Sequence, residues 1–149
     1  MGKKTILLLL TILCLLTTVS CSNRSMVTIT MEDIDNIGLE LIERKEETAG
    51  MRYTLRLHNG SKHTIVQNNV FLSYPLKMKN GTKENPFKME ARNNKLNIKP
   101  EEEVLLTVLA PKEMVEGHPG MDITKPFIEI KGYLKQVSEE NQFHIGGED

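Results

Sequence analysis

The chain has 149 residues, of which 26% are charged and 39% hydrophobic, and its 19 basic and 20 acidic side chains give a formal net charge of −1. This composition is that of one ordinary globular domain, and it excludes a disordered tail and a multi-pass membrane protein. The near balance of charge also excludes the strongly basic footprint of a general nucleic-acid-binding protein.

The N-terminus has the pattern of an export signal. Two lysines precede a Leu-rich apolar run from Ile6 to Leu16. The run is shorter than the roughly 20 residues that a transmembrane helix needs, so we predict a signal peptide over residues 1–20. Thr18-Val19-Ser20-Cys21 resembles the bacterial lipobox, in which a small residue precedes the cysteine that takes a diacylglyceryl thioether. The resemblance implies cleavage before Cys21 and lipidation of its thiol.

These two events decide the thiol chemistry of the mature chain. If Cys14 leaves with the signal peptide and Cys21 is alkylated, the mature domain keeps no free thiol. Disulfides, thiol catalysis and cysteine-ligated zinc or copper are thereby excluded from it. We expect a protein anchored to the extracytoplasmic face of the cell membrane, and its short, lysine-bearing leader is similar to that of Bacillus-type lipoproteins.

Two regions follow the signal peptide. We predict a lipid-anchored tether over residues 21–37 that can include a first strand, and a folded domain over residues 38–149. Residues 32–47 have apolar positions that fit either a helix or a strand. Gly38 favours the strand, because glycine inside a helix costs about 1 kcal/mol relative to alanine, but both alternatives stay open.

The clearest periodicity covers residues 51–58, where every odd position is apolar and every even position polar. This alternation predicts a half-buried strand. A turn signal follows at residues 59–61, with Gly60 as the residue that tolerates positive φ at the reversal. A second strand is predicted over residues 70–76, and Pro75 places that end at a sheet edge or a bulge, because proline cannot donate to a ladder.

The second half of the chain repeats the same kind of signal. Asn80-Gly81-Thr82 predicts a turn, and residues 86–92 predict a short strand. Residues 104–109, rich in leucine and β-branched side chains, predict a central strand. Residues 127–134 alternate again, with Glu129 on the polar face, and residues 138–141 turn the chain back into a last strand.

Short strands at intervals of roughly ten residues, separated by Asn-Gly and proline, predict an all-β fold. We expect an antiparallel β-sandwich of about seven strands. The side chains predicted to face its core together are Tyr53, Leu55, Leu57, Leu72, Val104, Leu106, Val108, Ile128 and Ile130.

Two segments of the chain resemble bacterial immunoglobulin-like extracellular domains. Residues 53–61 end a strand in an Asn-x-Ser turn, and residues 98–104 launch a later strand through an Ile-x-Pro-x-Glu turn. Glu101 occupies the position that this family commonly gives to glycine. The resemblance implies an immunoglobulin-like sandwich, without the tryptophan and cysteine pair of antibody domains.

Residues with catalytic or metal-binding chemistry are present, but their spacing does not favour a site. No histidine pair has the i, i+4 spacing of a zinc site on a helix. Ser61 and Ser73 lack a nucleophile-elbow setting, and Glu101-Glu102-Glu103 is typical of a solvated turn. We therefore expect no enzyme, no cofactor and no bound metal; the histidines concerned are His58, His63, His118 and His144.

Charge is unevenly distributed along the mature chain. Residues 22–76 have a net charge of −1, residues 77–99 of +5, and residues 100–149 of −7. One interpretation is a solvated loop and hairpin whose lysines protect a strand edge. The other is a contact surface for an anionic partner, formed by Lys77, Lys79, Lys83, Lys88, Arg92 and Lys95.

The sequence thus favours a membrane-anchored, non-enzymatic binding or accessory module at the bacterial cell envelope. Its expected contacts are the membrane, through Cys21, and an envelope protein or an anionic cell-wall polymer, with no nucleic acid. Two alternatives stay open: an extracytoplasmic carrier of a solute or metal, and an inhibitor or immunity factor that blocks an envelope hydrolase.

Overall fold

The computed structural model describes residues 29–116 and 118–148. The predicted signal peptide and Cys21 lie outside these residues. Within them the chain forms two short helices, α1 (Met31–Asp35) and α2 (Lys112–Glu116), and a 3₁₀ turn at Glu139–Asn141. It also forms the strands β1 (Ile37–Glu47), β2 (Gly50–Asn59), β3 (Ile65–Ser73), β4 (Leu76–Met78), β5 (Gly81–Lys83), β6 (Met89–Glu90), β7 (Glu103–Pro111), β8 (Phe127–Leu134) and β9 (Gln142–Glu148).

The strands form two antiparallel sheets and a separate hairpin. A three-stranded sheet has the order β1-β2-β7, a four-stranded sheet has the order β6-β3-β8-β9, and β4 pairs with β5. The chain changes sheet between β2 and β3, between β6 and β7 and between β7 and β8. The two antiparallel sheets pack on one common core, so the predicted all-β sandwich fold is confirmed.

The core lies between the two sheets and follows the alternation read from the sequence. Along β2, half-buried and buried side chains alternate from Arg52 to Asn59. All nine side chains predicted to face the core are buried. The hydroxyls of Tyr53 and Tyr74 lie 2.7 Å apart inside it, so these two buried phenols satisfy each other. Burial raises the pKa of Tyr74, and the neighbouring Tyr53 hydroxyl raises it further.

Residues 31–47 contain both of the structures left open by the sequence. Thr30 and Asp33 form a capping box that starts α1, in which the Thr30 side chain accepts from the Asp33 amide at 3.2 Å. The helix ends after one turn, and β1 begins at Ile37. Gly38 lies in this strand, as its low helix propensity favoured.

Several predicted strand limits are wrong, because pairing partners are not encoded locally. β3 begins at Ile65 and ends at Ser73, before Pro75, and the strand predicted over residues 86–92 is reduced to Met89–Glu90. β7 pairs only with β2 in its sheet, so it is an edge strand and not a central one.

The turn after β2 also differs from the prediction. Gly60 does not have a positive φ, and β2 and β3 do not form a hairpin. Gly60 is instead required by a close approach, since its amide donates to the Asn36 carbonyl at 3.0 Å and a Cβ would lie 2.5 Å from that oxygen. The left-handed φ in this region belongs to Glu101, at 63°.

The strand pairings define two opposite ends of the sandwich. Ile37 pairs with Asn59, and Ile65 pairs with Leu134, so these residues share the end that holds α1. We call it the N-terminal end. Gly50 pairs with Pro111 and Ser73 with Phe127 at the other end, which is followed by the β4–β5 hairpin. We call it the hairpin end.

Candidate binding surface at the hairpin end

The β4–β5 hairpin carries the first three basic residues of the +5 segment. Met78 pairs with Gly81 across a two-residue turn, and Gly81 has a φ of 120°, so the predicted Asn80-Gly81 turn is present. Lys77, Lys79 and Lys83 are all exposed, and we call them the hairpin lysines. Among the described residues, none of the three forms an ion pair with a carboxylate.

The other three basic residues of the segment are placed differently. The Lys88 ammonium lies 2.6 Å from Glu129 and 2.9 Å from Glu84. Lys95 forms an ion pair with Glu102. Arg92 is exposed, and its backbone bridges to Thr107 of β7 through N–H···O bonds of 2.7 and 3.2 Å. Two of these three cations are therefore already neutralised by the fold.

The six basic residues do not converge on one patch. Met89 pairs with Leu72, the Ala91 amide donates to Val70, and the Asn68 side chain donates to the Lys95 carbonyl. The segment therefore follows the outer edge of β3 from the hairpin end towards the N-terminal end. Only the hairpin lysines remain grouped, on one short hairpin.

Glu129 is a buried charge that the sequence did not reveal. Its alternation with Ile128 and Ile130 predicts a solvent-facing side chain, but it is only 2% exposed. The Lys88 ammonium covers one carboxylate oxygen, and His144 Nε2 lies 2.8 Å from the other. Burial tends to raise the pKa of Glu129, yet the hydrogen bonds from Lys88 and His144 outweigh it and lower the pKa below its usual value.

A small groove lies between the hairpin and the start of β8. Its volume is about 190 Å³, whereas pockets that bury a small-molecule ligand usually measure about 300–1,000 Å³. Asn85 holds one wall in place, because its amide donates to the Tyr74 carbonyl at 3.0 Å and its oxygen accepts from the Phe87 amide. The residues lining the groove are Ser73, Pro75, Thr82, Lys83, Glu84, Asn85 and Phe127.

Three of the four histidines each lie beside a different carboxylate, with His144 beside Glu129. His58 lies 3.8 Å from Glu101, and His63 lies 3.7 Å from Asp33 at the N-terminal end. Within residues 29–116 and 118–148, no group of three or more His, Cys, Asp or Glu side chains could hold a metal ion. Ser61 accepts and donates within the turn after β2, where its hydroxyl donates to Asn59 at 2.7 Å.

No family model and no curated protein matches the chain. In the part of the chain that the structure describes, no helix is long and apolar enough to cross a membrane. The lipobox and the signal peptide therefore stay predictions from the residues themselves.

Proposed function

We propose that this chain is a membrane-anchored, non-enzymatic binding module of the bacterial cell envelope, whose hairpin lysines contact an anionic cell-wall polymer. The observation that carries the proposal is that the N-terminal end and the hairpin end lie at opposite ends of the sandwich. The chain enters the domain at the N-terminal end, and the hairpin lysines lie at the other end.

Chain length supports this orientation. Ile29 follows Cys21 by eight positions, and eight extended residues span at most about 28 Å. The ten residues of β2 separate the two ends, which corresponds to about 30 Å of strand. If Cys21 carries the lipid, the N-terminal end stays within about 28 Å of the membrane, and a hairpin that faces the wall is compatible with this length.

Electrostatic range then favours a wall polymer over the lipid headgroups. The Debye length at physiological ionic strength is about 8 Å, which is much shorter than the length of the sandwich. Each basic side chain close to an anionic surface contributes about 1 kcal/mol, so three hairpin lysines acting together supply about 3 kcal/mol.

The carrier alternative has less support. The hairpin-end groove is smaller than a usual ligand pocket, and its rim is formed by the exposed Lys83 and Glu84. The alternative of an inhibitor or immunity factor is also a binding function, but it requires a hydrolase as the partner. Capture of a hydrolase from an envelope extract would favour it over the polymer.

The binding test compares two triple variants of the mature chain with Cys21 replaced by serine. Lys77, Lys79 and Lys83 are changed together to glutamine in the first variant. Lys62, Lys95 and Lys99, towards the N-terminal end, are changed to glutamine in the control, which has the same net charge. We expect the first variant to sediment with purified cell wall about tenfold to a hundredfold more weakly at low salt, and the control to bind as the parent does.

Two results would contradict the proposal. Equal wall binding by both variants would show that the hairpin lysines do not contribute to it. Stronger binding to anionic lipid vesicles than to wall would show that the hairpin faces the membrane and not the wall. Anchoring is tested separately with Cys21→Ala in cells. We expect an uncleaved precursor, and normal maturation into a free secreted domain would show that Cys21 is not lipidated.

A further inference from the structure

Two Asn-Gly dipeptides occur in the chain, at residues 59–60 and 80–81. An asparagine followed by glycine is the pair at which the backbone most readily reacts with the asparagine side chain, because glycine has no side chain to block the approach. The product is an aspartate or an isoaspartate. Since the covalent chemistry of the two dipeptides is the same, only their surroundings in the fold can make their reactivities differ.

The fold restrains the first dipeptide. The Asn59 side chain is fully buried, and its amide donates to the carbonyls of His63 and Ile98, both at 2.9 Å. The Gly60 amide donates to the Asn36 carbonyl at 3.0 Å. A reaction between the Gly60 nitrogen and the Asn59 side chain has to break these three hydrogen bonds and admit water to a buried site. We therefore expect this dipeptide to be protected.

The second dipeptide lies in the turn of the β4–β5 hairpin without these restraints. Residues 77–84 are all exposed. Among the described residues, none forms a hydrogen bond with the Asn80 side chain, and a Cβ on Gly81 would meet no atom within 4 Å. The pairing of Gly81 with Met78 is the last of three pairs, and the end of a short ladder opens at little cost in free energy. The Gly81 nitrogen can therefore approach the Asn80 side chain in the presence of water.

We propose that Asn80 is a site of spontaneous deamidation. The Gly81 backbone nitrogen loses its proton to hydroxide or water and attacks Cγ of Asn80. A carbon–nitrogen bond forms there, and the bond from Cγ to the side-chain nitrogen breaks, so that ammonia leaves with a proton from water. Water then opens the resulting succinimide ring. Opening at the side-chain carbonyl gives an aspartate, and opening at the backbone carbonyl gives an isoaspartate.

The modification changes the charge of the hairpin, and this consequence rests on the proposed function. Either product places a carboxylate in the turn between Lys79 and Lys83. One carboxylate cancels the attraction of about one of the three hairpin lysines, so wall binding should become about fivefold weaker. The reaction needs no enzyme, so the modified fraction rises with the age of the protein. Newly exported chains then bind the wall most tightly.

The test follows the mature chain, with Cys21 replaced by serine, over several weeks at physiological temperature and mildly alkaline pH. Peptide mapping by mass spectrometry measures the replacement of each side-chain amide by a carboxyl group. We expect Asn80 to react at least about tenfold faster than Asn59 in the folded protein, because the buried site must open first. Mildly acidic pH should slow the reaction, since fewer Gly81 nitrogens lose their proton. In concentrated urea the two sites should react at similar rates.

Three substitutions separate the reaction from its consequence. Asn80→Gln keeps an amide, but its longer side chain forms a ring far more slowly, so the aged variant should keep its wall binding. Asn80→Asp has the charge of the product from the start and should bind the wall about fivefold more weakly than the fresh parent. Gln136→Asp adds the same charge at an exposed position after β8, at the N-terminal end. This control should bind as the parent does.

Two results would overturn the modification. They are equal rates at Asn59 and Asn80 in the folded protein, and no conversion of Asn80 during a period in which the chain in urea is converted. Wall binding of Asn80→Asp equal to that of the parent, while the triple hairpin-lysine variant binds weakly, would overturn the consequence for binding. If the triple variant also binds as the parent does, the proposed function fails, and the masses alone decide the modification.

Discussion

The side-chain amide of Asn59 donates to the backbone carbonyl of Ile98 at 2.9 Å, across 39 positions of the chain. The same amide donates to the His63 carbonyl at 2.9 Å, and the Asn59 oxygen accepts from the Ser61 hydroxyl at 2.7 Å. Asn59 is fully buried. One side chain therefore joins the two segments that resemble immunoglobulin-like domains, and it explains why the first of them ends in Asn-x-Ser.

Replacing Asn59 with alanine should destabilise the domain by about 2–4 kcal/mol, because a fully buried side chain loses its hydrogen bonds to Ile98, His63 and Ser61. Urea unfolding followed by circular dichroism measures this change. Gln67→Ala, at an exposed position of β3, is the control and should change stability by less than about 0.5 kcal/mol. Equal effects of the two substitutions would show that the Asn59 hydrogen bonds are not what holds the turn.

Lys88→Met should destabilise the domain by about 2–4 kcal/mol at pH 7, because it leaves the buried Glu129 carboxylate without its nearest cation, while Lys131 stays 3.9 Å away. Adding Glu129→Gln to Lys88→Met should recover much of the loss, since the uncompensated charge is then removed. Chemical unfolding of the parent, the single variant and the double variant measures this coupling.

The same pair predicts a pH dependence. The folded-state pKa of Glu129 is lowered, so its contribution stabilises the parent above the usual pKa of 4.5 and is lost as pH falls through the lower folded value. In the Lys88→Met variant, the cost of burying the charged Glu129 carboxylate dominates. Protonation of Glu129 therefore raises the stability of that variant. The stability gap between parent and variant should therefore narrow from pH 6 to pH 4, and a gap that widens would contradict the ion pair.

Two neighbouring leucines of β7 test the register of the sandwich. Leu106 is 0% exposed and Leu105 is 59% exposed. We expect Leu106→Ala to cost about 2–5 kcal/mol, because it removes buried surface and leaves a cavity. Leu105→Ala should cost less than about 0.5 kcal/mol. A reversed order in thermal unfolding would mean that β7 is shifted by one residue.

Glu101→Gly should stabilise the domain by about 0.5–1 kcal/mol. Glu101 has a φ of 63°, which costs about 1–2 kcal/mol for a residue with a Cβ, and glycine removes this strain. Part of the stabilisation is lost again, because glycine makes the unfolded chain more flexible. Its side chain is exposed and lies 3.8 Å from His58, so little is lost with it. Glu103→Gly, inside β7, is the control and should be destabilising when the melting temperatures are compared.

Much of the fold could be predicted from local sequence pattern alone. The alternation over residues 51–58 and 127–134 predicted β2 and β8 almost to their ends, and Asn80-Gly81 predicted the turn of the hairpin. These features depend on neighbours in the chain. A strand with one buried face must alternate, and the chain leaves this turn through a positive φ at Gly81, which glycine tolerates.

The candidate binding surface could be predicted less well from the sequence. The charge count singled out residues 77–95 correctly as a basic segment, but it gave no sign that Lys88 and Lys95 are bound by Glu129 and Glu102. Their partners lie elsewhere in the chain, and ion pairing depends on distance in space. Glu129 alternates as a surface residue does, so no sequence signal distinguishes it from an exposed glutamate.

The sequence by itself determined which residues face the core, because a side chain's face in a strand follows from the period of two, whatever strand lies beside it. Only the tertiary structure decided which strands are neighbours. Backbone amides and carbonyls pair alike in every strand. The edge position of β7 and the separation of the hairpin from the N-terminal end therefore depend on how two whole sheets pack together.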